Sequence, residues 1–348
     1  TLDAAIYGIW SQQWPRLRRS FSFRTAGGGL ETSLQNFRFD VQVQSDLHSF
    51  SDILGSNVAA EPWAQVAAED ISSSRSTDFR RFIWRYGSDV RHGRDRFQFL
   101  AQLYLDSRRS IYANGDTFDV LARVSAELPV PDDGKLLKQD LMGEANAYSM
   151  LPAGDAIEKL DFFVTYPENK AFSALPEKMA GVVHDHWADR AARIVDIADR
   201  ATASRSELGE AVLDRLATIA EPATLFAATS GRPALRRRLI SANPKLIDSD
   251  DLLSVPQQEI RLLIDLVPDD AAFIPRLLDR LTTLNDPQIA RSMLKRFPQQ
   301  TMRSVAAKVA GSSSTGDEKS VPDAWAHAVA SERSSRQRQD APRGRLQE

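Results

Sequence analysis

The first residues of the chain carry the hydrophobic spacing of a helix. Leu2, Ile6 and Ile9 recur every three or four positions, which predicts one short helix over residues 2 to 13. Pro15 ends it, because a residue that precedes proline is driven out of the helical region. Trp14 is therefore expected to be extended.

An alternating pattern follows. Aromatic and polar residues alternate over 20 to 25 and again over 37 to 43, with a glycine-rich spacer at 27 to 29 between them. Two alternating runs around a glycine connection are typical of an antiparallel β-hairpin. Residues two apart on a strand share a face, so Phe21 and Phe23 are expected to lie under covering helices.

The stretch from 46 to 128 has helical spacing throughout. Five apolar groups predict five amphipathic helices: Leu47 to Leu54, Trp63 to Val66, Phe79 to Tyr86, Phe99 to Leu103, and Phe118 to Val124. Residues 162 to 165 fit a helix or a short strand equally and stay unassigned. A longer helix is predicted from about 176 to 201. The side chains expected in the core include Phe21 or Phe23, Phe82, Leu103, Leu121, Trp187, Leu263 and Leu278.

Prolines punctuate the C-terminal half. They stand at 222, 233, 244, 256 and 268, at intervals of 11 or 12 residues, and again at 287 and 298. Proline suits the first turn of a helix, because the N–H that it lacks would have been unpaired there. The pattern predicts a string of short helices, stacked as an α-solenoid or packed as a non-repeating bundle.

Together these patterns predict a mostly α fold. A small N-terminal α+β module, with a β-hairpin covered by helices, precedes an α-helical repeat-like region of the solenoid type. The expected divisions are a module at 1–150, connecting helices at 151–205, short helices at 206–310, and a final part at 311–348. That final part is expected to hold a flexible linker, one helix near Trp325 and a disordered tail from 331 onward.

Composition narrows the class of protein. The chain of 348 residues has 42% hydrophobic residues, enough for a core, and no apolar run near the roughly 20 residues of a membrane span. It has no cysteine, which excludes disulfides and thiolate sites and favours a cytoplasmic location. A net charge of −3 argues against a generally cationic nucleic-acid binder. Thr1 reads as a cut within a longer protein, since neither an initiator methionine nor a secretion signal precedes it.

Catalytic and metal-binding patterns are weak. His184 and His186 would point to opposite sides of a helix, so they do not predict a metal site. No nucleophile motif stands in its expected context, and no cofactor pattern is recognised. The sequence favours a protein that catalyses no reaction. A hydrolase site assembled from residues distant in the sequence stays open as an alternative.

The best candidate for a functional surface is rich in arginine. It consists of Arg16, Arg18, Arg19, Arg24, Arg80, Arg81 and Arg85. Interleaved with Trp14, Trp84 and Tyr86, such side chains could hold an acidic protein, a nucleotide phosphate or single-stranded nucleic acid. The alternative interpretation is that their stems cover aromatic residues and their charges face solvent.

The segment WSQQWPRLRRSFSFRT, Trp10 to Thr25, together with FRFDVQV at 37 to 43, resembles the middle region of the bacterial GTPase-associated protein family. The resemblance implies a multidomain component of a bacterial conflict, or defence, system. Such a component is encoded beside a small GTPase. The resemblance implies an adaptor or scaffold that works through protein contacts, with a GTPase as one partner. It also implies that the family's N-terminal domain is missing here. A nucleic-acid-binding helical protein using the arginine and aromatic face is the alternative.

Overall fold

The structure, a computed structural model, describes residues 2–24, 41–42, 61–73, 75–91, 93–108, 116–144, 148–152, 154–173, 175–219, 222–248, 252–253, 255–267, 274–315 and 323–340. The chain divides into two compact units, Thr1–Ala174 and Leu175–Glu348. The division falls inside 151–205, the stretch that the sequence analysis treats as a connection.

The first unit is built mainly from helices. Its elements are α1 (Leu2–Gln12), α2 (Pro15–Ser20), β1 (Phe23–Arg24), β2 (Val41–Gln42), α3 (Pro62–Ser72), α4 (Asp78–Gly87), α5 (Gly93–Arg108), α6 (Thr117–Glu127), α7 (Lys135–Met142) and α8 (Ala156–Thr165). The residues left unassigned at 162 to 165 thus end a helix. The helix predicted around Leu47, Phe50 and Leu54 lies outside the described residues.

The core of the first unit forms around α4 and α5. Helix α5 contacts α2, α3 and α4, while α4 also contacts α1 and α7. The predicted core residues Phe82, Leu103 and Leu121 are buried. Rings pack edge to face in this core, with Phe82 and Tyr86 centroids 4.6 Å apart, a favoured geometry for aromatic pairs.

The predicted β-hairpin is wrong. Strand pairing in the described part of the chain covers only Phe23 with Val41 and Arg24 with Gln42, and the two strands run parallel, whereas a hairpin is antiparallel. Pro15 starts a helix that continues through Ser20, the residue at which the alternating run was expected to begin. The two strand residues described here are too few to bury an aromatic face. Phe21 is only half-buried and Phe23 is 51% exposed.

Every secondary-structure element in the described residues of the second unit is a helix. Its elements are α9 (Pro176–Ser204), α10 (Glu207–Ile219), α11 (Pro222–Ala228), α12 (Pro233–Ala242), a 3₁₀ helix (Pro244–Asp248), α13 (Gln257–Leu266), α14 (Ile274–Leu281), α15 (Pro287–Arg296), α16 (Pro298–Thr315) and α17 (Asp323–Asp340). Leu263 and Leu278 are buried as predicted. Trp187 is only half-buried, so its predicted place in the core is wrong.

Proline marks the helix starts as predicted. Pro222, Pro233, Pro287 and Pro298 each begin an α-helix, and Pro244 begins the 3₁₀ helix. Each of these helices contacts others near it in the chain: α12 lies against α10 and α13, and α15 against α13 and α17. Contacts between near neighbours are what a repeat-like helical region requires.

The C-terminal residues are more helical than expected. Helix α16 continues through Thr315, into the predicted linker, and α17 continues through Asp340, into the predicted tail. Trp325 anchors α17: its ring is fully buried, and its Nε1 donates to the Leu284 carbonyl at 2.8 Å. Once a first turn is fixed in this way, adding residues to a helix is favourable even for a polar sequence.

Candidate functional site

Arg18 is held inside the first unit between two indole rings. Its guanidinium carbon lies 5.1 Å from the centre of the Trp10 ring and 4.8 Å from that of Trp84. Its Nε donates to the Gln13 carbonyl at 2.6 Å, and its Nη2 to the Ser11 carbonyl at 2.7 Å. The side chain thus satisfies carbonyls at the C-terminal end of α1, where a positive charge is favourable. Burial first, and then the nearby Arg80 charge, lowers the pKa of Arg18.

Arg80 is part of a buried ion pair. Its Nε lies 3.0 Å from Asp70 Oδ2, and its Nη2 donates to the Asp70 carbonyl at 2.8 Å. Gln12 Nε2 donates to the same carboxylate at 2.9 Å, and the Thr77 hydroxyl also donates to it. The network joins α1, α3 and α4, so Arg80 stabilises the unit from within.

Arg85 forms a two-pronged contact with a buried carboxylate. Its Nε and Nη2 donate to Asp140 at 3.0 to 3.2 Å, and the Tyr86 hydroxyl donates to Asp140 Oδ2 at 2.5 Å. Burial lowers the pKa of Arg85, but hydrogen bonds to Asp140 and Tyr86 outweigh it and raise the pKa overall. Burial and the Asp140 contact raise the pKa of Tyr86 to about 12. The group ties α4 to α7.

Three of the remaining proposed arginines are not brought together. Arg81 is exposed and pairs with Asp78, whose pKa is lowered by hydrogen bonds from Arg81 and Arg108. Arg19 is exposed at the end of α2. Arg24 lies in β1, and its side chain is outside the described residues.

A basic cleft lies beside α2. Arg16, Arg91 and Arg94 line it with Leu17, Ser20, Gly93 and Asp95, and its volume is about 280 Å³. Arg94 Nη2 donates to the Ser20 carbonyl at 2.8 Å, which fixes that side chain at the rim. We call this set of residues the basic cleft.

An aromatic groove lies between α1 and the residues that follow α2. Its volume is about 430 Å³, and it is lined by Asp3, Ile6, Tyr7, Trp10, Phe21 and Phe23. Tyr7 is 66% exposed and Phe23 51% exposed. A cluster of exposed large apolar side chains is typical of a surface that meets another molecule.

Comparisons with known proteins assign the chain to no family. No protein-family model matches the chain, and neither a curated protein nor a solved structure matches it. The resemblance to the GTPase-associated family therefore stays a prediction.

No helix in the described ranges combines the length and the apolar character needed to cross a membrane. Within those same ranges, no three His, Asp or Glu side chains are placed to hold a metal ion.

Sequence reasoning missed two arginines of the basic cleft, Arg91 and Arg94. They follow Val90, which is fully buried, and flank Gly93 at the start of α5. A Cβ at Gly93 would lie 2.6 Å from Leu17 Cδ2, so glycine is what lets α2 approach this turn. The sequence signal that could have identified this cleft is the pair of arginines, Arg91 and Arg94, close to Gly93.

Proposed function

We propose that this chain is a non-catalytic adaptor that binds a protein partner through the aromatic groove of its first unit. The observation that supports this proposal is the exposure of the Tyr7 and Phe23 side chains beside the half-buried rings of Trp10 and Phe21. Aromatic side chains dominate the binding energy of protein interfaces, since they bury a large area at a small cost in conformational entropy.

The partner proposed first is a small GTPase of the same bacterial conflict system, and the cytoplasm is the proposed location. This choice rests on the resemblance of residues 10 to 25. The groove supports it in one respect: its lining is apolar apart from Asp3 and the Tyr7 hydroxyl, which suits an apolar side chain projecting from a protein.

Nucleic-acid binding has less support. Single-stranded nucleic acid needs free aromatic faces on which bases can stack. Arg18 already covers the rings of Trp10 and Trp84. Of the three aromatic residues that suggested a stacking surface, Trp14 and Tyr86 are buried, and Trp84 is covered by Arg18.

A paired substitution tests the proposal. Tyr7→Ser with Phe23→Ser should weaken binding to the GTPase encoded beside this protein by about 30-fold or more, because truncating a central aromatic residue costs about 2 kcal/mol. Titration calorimetry on the full chain, with the GTPase in its GDP state and with a GTP analogue, measures the change. Tyr148→Ser with Leu175→Ser is the matched control, since these side chains are 79% and 70% exposed elsewhere.

Results of two kinds would contradict the proposal. One is failure of the GTPase to bind in either nucleotide state, or equal losses from the groove and control variants. The other is self-association of the wild-type chain in sedimentation that the groove variant abolishes, which would make the groove a contact between copies.

A further inference from the structure

We infer that the basic cleft binds a phosphate group in its dianionic form. The inference is independent of the aromatic groove and of any protein partner. It rests on three arginines that line one small cleft: Arg16 from α2, Arg91 from the turn before α5, and Arg94 from α5.

The backbone that carries these three arginines is held in place by its neighbours. Arg16 lies in the first turn of α2, beside Leu17, which is buried. The Arg91 amide donates to Asp133 Oδ1 at 2.8 Å, directly after the buried Val90. Arg94, in the first turn of α5, is tied to α2 through the Ser20 carbonyl. The cleft is therefore set by the packing of α2 on α5.

Charge in the cleft is not balanced internally. Arg16 and Arg91 are exposed, and within the described part of the chain neither guanidinium has an acidic partner within 4 Å. Asp95 is the acidic side chain of the lining, so the two positive charges of Arg16 and Arg91 face one negative charge. A phosphate monoester carries about −1.5 to −2 at pH 7 and would offset this repulsion.

The shape and lining favour phosphate over other anions. Several guanidinium groups can share the oxygens of one phosphate through paired hydrogen bonds, whereas a carboxylate offers two oxygens. Among the described residues that line the cleft there is no aromatic side chain, which favours a phosphate group over a stacked nucleobase. A volume of about 280 Å³ suits a compact group. The class of ligand is thus inorganic phosphate, diphosphate or the phosphate end of a small metabolite.

The test compares two double variants of equal charge. Arg16→Gln with Arg91→Gln should weaken binding of inorganic pyrophosphate by at least about tenfold, since each lost hydrogen bond to a charged group is substantial. Arg75→Gln with Arg237→Gln is the control, because both side chains are exposed outside the cleft and unpaired within the described residues. Binding is followed by ³¹P NMR and calorimetry on the full chain, and both variants should melt like wild type.

The pH dependence separates phosphate from carboxylate. Pyrophosphate and inorganic phosphate should bind more weakly as the pH falls from about 8 to about 5, because each anion takes up a proton near neutral pH and loses one negative charge. A hexaglutamate peptide should bind less tightly than pyrophosphate. A nucleoside diphosphate binding as tightly as pyrophosphate would show that only the phosphate is recognised.

Several results would overturn the inference. Equal losses from the cleft and control variants would show that only net charge matters. Tighter binding of hexaglutamate would assign the cleft to an acidic protein. Tighter binding of a single-stranded oligonucleotide, lost in the cleft variant and steeply weakened by salt, would assign it to nucleic acid.

Discussion

Arg80 and Arg81 are neighbours in sequence but should differ sharply in their effect on stability. Arg80 is 8% exposed and paired with Asp70, which is 3% exposed. Arg81 and its partner Asp78 are both exposed. Replacing each arginine by methionine removes the same charge and keeps a similar stem, so the difference measures burial.

The expected cost follows from what each substitution leaves behind. Arg80→Met removes two hydrogen bonds and leaves the Asp70 carboxylate buried, and breaking a buried pair costs about 3 to 5 kcal/mol. Gln12 and Thr77 still donate to that carboxylate, so we expect about 3 kcal/mol. Exposed pairs contribute about 0 to 1 kcal/mol, which is the cost expected for Arg81→Met.

The assay is unfolding followed by tryptophan fluorescence. Four of the six tryptophans lie in the first unit, so the signal reports mainly on it: Trp10, Trp14, Trp63 and Trp84. For a unit of this size, about 3 kcal/mol corresponds to a fall in melting temperature of about 6 to 12 °C.

A second substitution isolates the buried charge. Adding Asp70→Asn to the Arg80→Met variant should recover part of the loss, because a neutral amide is cheaper to bury than an unpaired carboxylate. Equal costs for Arg80→Met and Arg81→Met, or a loss below about 1 kcal/mol for Arg80→Met, would refute the assignment of Arg80 to the interior network.

Two further predictions concern glycine and pH. Gly87→Ala should destabilise the first unit by about 1 to 3 kcal/mol, because a Cβ at this position would overlap the Trp14 ring. Gly181→Ala should stabilise its helix by about 0.5 to 1 kcal/mol, because the space around Gly181 is open and alanine favours a helix over glycine. Urea unfolding measures both changes. Burial lowers the pKa of Lys138 to about 8, so the unfolded chain holds this proton to higher pH than the folded chain does. The free energy of unfolding of wild type, relative to Lys138→Met, should therefore rise between about pH 8 and pH 10, and a flat difference across that range would contradict the assignment.

Helix positions could largely be predicted from the sequence because their signals are local. Pro233, Pro287 and Pro298 each begin a helix as predicted, since a proline and the apolar spacing after it act within one or two turns. The hairpin prediction was wrong because alternation over a few residues is a weaker signal than a proline that begins a helix. Pro15 and the buried Leu17 set α2, and in the described residues that follow it, up to Arg24, the strand covers only Phe23 and Arg24.

The candidate site could not be predicted in the same way, because the partner of each arginine is distant in sequence. Arg85 meets Asp140, 55 residues away, and Arg18 stacks on Trp84, 66 positions further along the chain. Spacing along one helix says which side chains share a face, but not which carboxylate or ring that face will meet. The proposed arginine set therefore mixed interior and surface residues.

What separates the arginines of the first unit is whether the fold supplies a counter-charge. A guanidinium held by a buried carboxylate contributes to the fold and is poorly available to a ligand, because binding would have to break that pair. One without such a partner bears the repulsion of its neighbours, and an added anion can relieve it. Arg80 and Arg85 belong to the first class, and Arg16 and Arg91 to the second. Substitutions meant to abolish binding should therefore fall on Arg16 and Arg91, where a loss of affinity without a loss of stability can be read as recognition.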